Sequence, residues 1–246
     1  PYLYKLIENS NVEVLFPMSN DTVVKISENK QLFEELCVVP IPDHETLLKA
    51  HDKLKTAKLA ESLDIPTPNT YFFDNIDALI SFSETANYPL IIKPRMGGGA
   101  SIYLYKVNSK DELISAYNTI TKNYGQPIIQ EYIPGNSGQM CTVNVLFDKK
   151  SMPMVLFTAK KIREYPIRGG VTSCGISTFE PEIIEFATRL FRQIRWYGVA
   201  EIEFKVDPRD GKPKLIEINP RFWQYLQLPI ACGVNFPYLL YKTALG

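Results

Sequence analysis

Apolar and polar positions alternate with a period of two from Val199 to Val206. Ile202, Phe204 and Val206 fall on one side, and Glu201, Glu203 and Lys205 on the other, as in a half-buried strand. Lys214 to Asn219 returns in the same way, with Ile216 and Ile218 apolar and Glu217 and Asn219 polar. Between them, PRDGK contains Asp210-Gly211, a hairpin turn signal. A turn centred near Asp210 sets Glu203 opposite Glu217. Like charges facing each other across a ladder are destabilising, so a pair in this place implies a bound cation. Asn219 adds a neutral oxygen on the same face. Hard oxygen ligands with coordination positions left over suit Mg²⁺ held together with substrate phosphates. Pro220 stops the strand, and Arg221 follows at its mouth. The plain alternative is a solvated polar face on an edge hairpin.

Upstream, the same reading predicts mixed α/β structure. Residues 12–16 (VEVLF) and 37–41 predict buried strands around a helix from Asn20 or Asp21 to about Leu36. Glu45 to Leu63 predicts helices around His51-Asp52-Lys53. This is the texture of the second half of a parallel α/β unit, whose first strands are expected before Pro1, in a longer protein. At Ile65 the texture changes. IPTPNTYFF carries two prolines and a short strand, and a helix over 76–85 follows. The strand YPLIIK (88–93), a glycine loop and the strand SIYLYKV (101–107) come next. Asp111 to Tyr124 reads as an amphipathic helix with Ser109 as N-cap and Glu112 three residues on. The unit over about 66–127 reads as a mobile lid. From Gln126 strands dominate (PIIQEYI, CTVNVLFD, PMVLFTAKKI), then a helix over 181–195 leads into the hairpin. Gln227 to Leu245 is a mostly apolar ending.

Length and composition narrow the classes. A chain of 246 residues makes one large domain or two modest ones. With 45% hydrophobic and 22% charged residues it builds a real core and is not disordered. A net charge of +0 argues against a broad nucleic-acid footprint and leaves room for a local phosphate pocket. Cys37, Cys141, Cys174 and Cys232 are far apart without a CxxC, and the histidines are His44 and His51. A zinc site or disulfide framework is therefore not expected, and reduced thiols in a cytoplasmic protein are the default. No apolar run approaches a membrane span.

Three further stretches carry chemistry. Lys93 ends an apolar strand and leads into Gly97, Gly98 and Gly99. Glycines let backbone N–H groups approach a polyphosphate, and the lysine supplies point charge. The loop is neither a Walker A nor a GxGxxG sequence, and read alone a glycine hairpin loop is the alternative. Glu131-Tyr132-Ile133-Pro134-Gly135 ends a strand, where the Glu131 carbonyl and the Ile133 N–H can pair with a purine edge. Read alone it is a strand end. Lys160, Lys161, Arg163 and Arg168 cluster before Gly169-Gly170, suited to a γ-phosphate or a substrate carboxylate or, more simply, to an exposed basic edge. Lys53 alone reads as a solvated helix lysine.

In order along about residues 50–246, Asp52-Lys53, IPTP, YPLIIKP with GGGAS, EYIPG, REYP with GG, and GVAEIEF…KLIEINPRFW together resemble the ATP-grasp superfamily. The last block is the most specific, with Glu203 and Glu217 fourteen apart and then Glu-x-Asn-x-Arg. The chain is most similar to carboxylate–amine ligase-like, or carbamoyl-phosphate-synthase-like, members. The resemblance implies an α/β chain with the α+β ATP-grasp fold. Residues 1–50 would be the remnant of a Rossmann-like domain, 51–127 would carry the lid, and 128–246 an antiparallel-sheet subdomain with the Mg²⁺ and ATP site. It implies ATP and Mg²⁺, with Mn²⁺ as a substitute. Lys93 and Lys53 would contact the phosphates, and the Gly97–Gly99 loop would close over them. Glu131 and Ile133 would hold adenine through backbone groups, with Tyr132 between them. Glu203, Glu217 and Asn219 would hold the metal, and Arg221 would stabilise phosphoryl transfer. Lys161 or Lys160 would reach the γ-phosphate, with the register between them open, and Arg163 would assist.

Two departures stand out. Asn136-Ser137-Gly138-Gln139 replaces the glutamate that binds ribose in many members, and Arg168 stands where a small or polar residue is usual. The implied reaction is ATP-dependent C–N ligation of a small-molecule carboxylate and an amine through an acyl phosphate. A non-catalytic ATP-binding module and a phosphotransferase are the alternatives. No nucleic acid or membrane partner is expected, and a homodimer is compatible with the resemblance. Trp223 and Gln224 are candidates for the substrate-pocket wall, and Trp223 is otherwise expected in the core.

Overall fold

The computed structural model describes residues 2–97, 103–167 and 169–246. Among these residues, the chain opens with the helices α1 (Tyr2–Glu8), α2 (Asn20–Glu28) and α3 (Lys30–Glu34). Ser19 caps α2: its hydroxyl accepts from Thr22 N at 3.2 Å, and Thr22 Oγ1 accepts from Ser19 N at 3.1 Å, which satisfies two donors at the helix start. The single helix expected from about residue 20 to 36 is broken at Asn29, whose φ of −121° is not helical. The strands expected at 12–16 and 37–41 shrink to one parallel bridge, Val14 to Val38. Two short extended segments alone do not make a stable sheet, and Val23, Ile26, Phe33 and Leu47 form the local core instead.

The helices α4 (His44–His51) and α5 (Lys53–Ser62) meet at Asp52. Asp52 leaves helical geometry, and its carboxylate accepts from Leu54 N at 3.0 Å and Lys55 N at 3.3 Å. The break is therefore itself a helix cap.

Next come β1 (Thr70–Tyr71), α6 (Ile76–Thr85), β2 (Leu90–Pro94), β3 (Tyr105–Val107), α7 (Lys110–Tyr124) and β4 (Pro127–Glu131). Their strands form an antiparallel sheet in the order β1-β4-β2-β3. Leu79 of α6 and Leu113 and Ile120 of α7 pack with Leu90, Ile92 and Ile129. Ser109 caps α7, accepting from Glu112 N at 3.3 Å. The strand expected over 101–107 is seen at 105–107, and residues 101 and 102 lie outside the described ones.

The rest of the chain forms β5 (Met140–Phe147), β6 (Pro153–Tyr165), β7 (Val171–Thr178), α8 (Pro181–Gln193), β8 (Gly198–Val206), β9 (Pro213–Asn219), α9 (Gln227–Ala231) and α10 (Phe236–Leu245). The sheet order is β7-β6-β5-β8-β9, antiparallel throughout. The hydrophobic pattern does not predict β7: this edge strand is exposed on both faces, so no apolar alternation marks it. Ile183, Ala187, Leu190 and Phe191 make an apolar stripe on α8 that packs on Val143, Val145, Phe147, Ala200, Ile202 and Phe204. With that face in the core, strand alternation turns Thr142, Asn144, Glu201 and Glu203 to the other. Gly198 opens β8 with φ +94°, and a Cβ there would lie 2.2 Å from Pro40 O, so glycine alone fits this close approach. Among the described residues no helix is long and apolar enough to cross a membrane.

Candidate functional site

Residues 207–212 join β8 to β9. Gly211, at φ +73°, donates to Asp207 O at 2.8 Å, and Asp207 N donates to Lys212 O at 2.9 Å. From this turn Lys205 pairs with Lys214 and Phe204 with Leu215. Continued unbroken, that register would set Glu203 against Ile216. A bulge takes Ile216 out of the pairing instead, so Glu203 lies opposite Glu217, and Glu201 opposite Asn219. The bulge also corrects the expected apolar face. Leu215 and Ile218 enter the core, and Ile216 stays partly exposed.

Glu201, Glu203 and Glu217 thus gather on one side of the hairpin. Asn219 Nδ2 donates to Glu203 Oε1 at 3.0 Å and to Glu201 Oε2 at 3.3 Å. Its Oδ1 accepts from Arg221 Nη2 at 3.1 Å, and Arg221 Nη1 lies 3.7 Å from Glu201 Oε2. Burial, reinforced by Glu201 and Glu217, pushes the Glu203 carboxyl up to about 8. Burial also raises Glu201, against the opposing charge of Arg221. At Glu217 burial pushes upward as well, but Lys53, Lys93 and Arg221 overcome it and hold this carboxyl below its usual value.

The cations that face Glu217 come from two other elements. Lys53, the first residue of α5, has its Nζ 3.7 Å from Glu217 Oε2 and donates to Gly97 O at 3.3 Å. Lys93, near the end of β2, is 5% exposed, and burial lowers its amine to about 8 although Glu217 and Glu203 favour the charged form. A clasp between Asp52 and Arg95 holds the two elements together. Arg95 Nη2 donates to Asp52 Oδ2 at 2.6 Å, Arg95 Nε to Asp52 Oδ1 at 2.9 Å, and Lys53 N to Arg95 O at 3.1 Å. Asp52 therefore caps the helix that carries Lys53 and anchors the base of the glycine loop. Of that loop Gly97 is described, while Gly98 and Gly99 lie outside the described residues, as does Arg168.

The pairing of β6 with β5 separates the two candidate lysines. Thr142 lies opposite both Glu203 and Ala159, and Cys141 lies opposite Lys160. Alternation then turns Ala159 and Lys161 to the carboxylate face and Lys160 to the other. Lys161 is buried, donates to Gly170 O at 3.1 Å and lies 3.6 Å from Glu164 Oε2, whereas Lys160 pairs with Glu180 at 2.6 Å. A Cβ on Gly170 would come within 2.2 Å of Pro166 O, so the turn closes tightly on the segment Lys161 holds. Arg163 lies beyond a break in the β6 register and is exposed, and no contact among the described residues ties it to the carboxylates.

Glu131 ends β4. Its carboxylate bonds Arg209, accepts from Asn69 N at 3.3 Å and lies 3.9 Å from Lys214 Nζ. The Tyr132 ring lies under two ammonium groups, Lys106 at 4.0 Å and Lys205 at 5.6 Å from its centroid. Ile133 is buried, and its carbonyl accepts from Lys205 Nζ at 2.8 Å. In the following turn Asn136 Oδ1 accepts from Gly138 N at 2.9 Å and Gln139 Oε1 from Asn136 N at 2.7 Å, so both polar side chains serve their own loop.

Trp223, a candidate for the pocket wall, is a core residue packed edge-on against Phe236 with centroids 4.8 Å apart. Tyr225 reaches the site face instead, its hydroxyl 2.5 Å from Thr142 Oγ1 and 3.3 Å from Asn144 Oδ1. Sequence reasoning passed over Glu201, Asp52, Arg95 and Tyr225 as site residues. The alternation already placed Glu201 on the polar face, and the Asp52-Lys53 dipeptide was the trace of the clasp. Nothing local marked Tyr225.

Among the described residues no three His, Cys, Asp or Glu side chains are arranged as metal ligands, and Glu201 faces Arg221 instead. The donor set is two facing carboxylates and one amide. It fits a Mg²⁺ that keeps positions for phosphate oxygens and water. Burial, with Glu201 and Glu217 adding to it, raises the Glu203 carboxyl, and a divalent cation beside it would favour the charged form.

A family profile described as an ATP-grasp domain matches residues 50–224. A D-alanine–D-alanine ligase of Pseudomonas entomophila (strain L48) is 29% identical over 203 residues, spanning 78% of this chain and 62% of that protein. A D-aspartate ligase of Enterococcus faecium (strain Aus0004) is 21% identical over 210 residues, spanning 80% and 50%. The chain thus covers half to about three fifths of the length of these relatives. Among solved structures, the biotin carboxylase domain dimer of Hydrogenobacter thermophilus 2-oxoglutarate carboxylase, in complex with MgADP, ADP and bicarbonate, matches with a TM-score of 0.83. It is 18% identical, and the match covers 100% of this chain and 56% of that one. D-alanyl-alanine synthetase A of Vibrio cholerae matches with a TM-score of 0.74 at 14% identity, over 95% and 75%. At these identities both are likenesses of fold.

Proposed function

The chain belongs to the ATP-grasp family and has its α+β fold, and on that footing we propose that it is an ATP-dependent carboxylate–amine ligase. The observation that carries this reading is the facing pair Glu203 and Glu217 with Lys53 and Lys93 against it. Glu203, Glu217 and Asn219 would hold Mg²⁺, which when bound neutralises charge on the phosphates. Lys53 and Lys93 bind the polyphosphate, and the glycine loop from Gly97 covers it. Glu131 and Ile133 receive adenine through the Glu131 carbonyl and the Ile133 N–H, with Tyr132 between them. Residues 51–127 carry the lid, and 128–246 the face on which the reaction runs.

In the first step a carboxylate oxygen attacks the γ-phosphorus, the bond to the β-phosphate oxygen breaks, and ADP leaves. Lys161 and Arg221 stabilise the negative charge on the transferring group, and Arg163, on the exposed rim, receives the substrate carboxylate. In the second step the amine nitrogen attacks the acyl carbon, the C–O bond to phosphate breaks, and the nitrogen loses a proton to give the amide. The protein supplies position, fixed charge and exclusion of water rather than a nucleophile. The test mixes the protein with Mg-ATP, hydroxylamine and pooled carboxylic acids, amino acids included. Hydroxamate matched by ADP is expected. ADP without hydroxamate would refute the acyl-phosphate route in favour of phosphotransfer to another acceptor or idle hydrolysis.

A further inference from the structure

Lys205 follows Glu203 by two residues on β8 and shares its face. Its ammonium donates to Ile133 O at 2.8 Å and to Gly135 O at 3.3 Å. Those carbonyls belong to the segment leaving β4 of the first sheet, whereas Lys205 belongs to the second. The same hairpin grips the start of that segment, where Arg209 and Lys214 reach the Glu131 carboxylate. Gly135 sits at φ +100°, and a Cβ there would lie 2.7 Å from Gln139 Oε1. The segment 131–135 is therefore fixed at Glu131, Ile133 and Gly135 by cations of one hairpin. A charged donor makes the stronger class of hydrogen bond, and one ammonium shared between two carbonyls fixes the direction of both.

We propose that Lys205 is a positioning residue that sets nucleobase selectivity, by holding the Ile133 and Gly135 carbonyls away from the nucleotide. The inference rests on the reading that residues 131–133 receive the purine. With those carbonyls held, the purine edge meets one acceptor, Glu131 O, and one donor, Ile133 N–H. Adenine presents the matching amino donor and ring acceptor, while guanine presents a carbonyl acceptor and an N–H donor in the reverse order. A carbonyl released from Lys205 adds an acceptor that guanine can use. Selectivity built from hydrogen bonds is lost when the groups that refuse the wrong partner are free to turn.

The test is calorimetric titration of Mg-ATP and Mg-GTP into wild type, Lys205→Met and Lys205→Arg. Wild type is expected to prefer ATP. Lys205→Met should bind ATP about tenfold more weakly and lose most of the ATP-over-GTP preference, and Lys205→Arg should recover part of both. In turnover, KM for ATP should rise while kcat changes little. A Lys205→Met protein that binds ATP more weakly but keeps the wild-type ratio reduces Lys205 to a structural tie and overturns the inference, as does unchanged binding. A wild type that binds no ATP overturns the proposed function along with it. Where Lys205→Met does not fold, Lys205→Gln is measured, and an unchanged ratio there overturns the inference equally.

Discussion

Replacing Glu203 by glutamine should stabilise the metal-free protein and abolish its turnover. Burial, Glu201 and Glu217 raise the Glu203 carboxyl from an ordinary 4.5 to about 8. Between those values the native state holds a proton that the unfolded chain has released. Stability is therefore fully present below the lower value and falls as pH rises through the window. Each pH unit costs at most about 1.4 kcal/mol, so the whole window would remove roughly 5 kcal/mol, which water entry and relaxation reduce to about 2 kcal/mol. Glutamine has the shape of the protonated acid, keeps an oxygen to accept from Asn219 Nδ2, and does not titrate. Wild type and variant should be equally stable at pH 5, with the variant ahead by about 2 kcal/mol at pH 8.5. Urea unfolding in EDTA at pH 5, 7 and 8.5 measures this difference. Mg-ATP should reverse the order, because wild type gains stability by mass action and the variant lacks one carboxylate. Hydroxamate formation should fall at least about 100-fold. Parallel pH curves for the two proteins would refute the electrostatic account, and retained turnover would refute the metal role.

The other predictions address the cations and their placement. Lys93 titrates at about 8 in the fold and 10.5 when unfolded, so this group adds stability as pH rises from about 8 toward 10.5, and Lys93→Met should remove that rise. The ATP dissociation constant of wild type should grow by about tenfold per pH unit above 8, while that of Lys93→Met stays flat in calorimetry. Lys161→Met should lower kcat/KM by about 100-fold, whereas Lys160→Met, on the opposite face and paired with Glu180, should stay within about twofold of wild type. Equal losses would contradict the β6 register. Asp52→Asn should cost about 2 kcal/mol in denaturant unfolding and raise KM for ATP more than it alters kcat. An unchanged KM would detach the Asp52–Arg95 clasp from nucleotide binding.

What the sequence made legible follows the range of each interaction. Period-two alternation and Asp210-Gly211 sufficed to bring Glu203 opposite Glu217, yet the structure reaches that pair by another route. The turn alone would have paired Glu203 with Ile216, and the bulge, which leaves no mark in composition, restores Glu217 and sends Leu215 into the core. The Ser109 cap and the break at Asp52 lie within one helical turn of the residues they serve and could be anticipated. The runs at 12–16 and 37–41 look like strands because they are apolar, but a strand needs neighbours, and this one has a single bridge. The edge strand β7, wet on both faces, has neighbours and no pattern.

The same division runs through the candidate site. Lys93, Glu203 and Glu217 announce themselves in local motifs because each is a charged residue set in or at the end of an apolar strand pattern, and Lys53 does so only beside the break at Asp52. Whether Lys160 or Lys161 joins them depends on pairing with β5, a relation between segments rather than a property of either. The ties that align the groups are longer still: Arg95 to Asp52 spans 43 residues and Lys205 to Ile133 spans 72. No local pattern encodes a contact of that separation, so the charged residues of the candidate site are readable from sequence while the residues that hold them in place are not. The two classes should also part in experiment. Losing a charge carrier removes stabilisation of the transferring phosphoryl group and lowers kcat/KM through kcat. Losing a tie leaves the charges present but misplaced before binding, and its first effect falls on KM and on the choice of nucleotide.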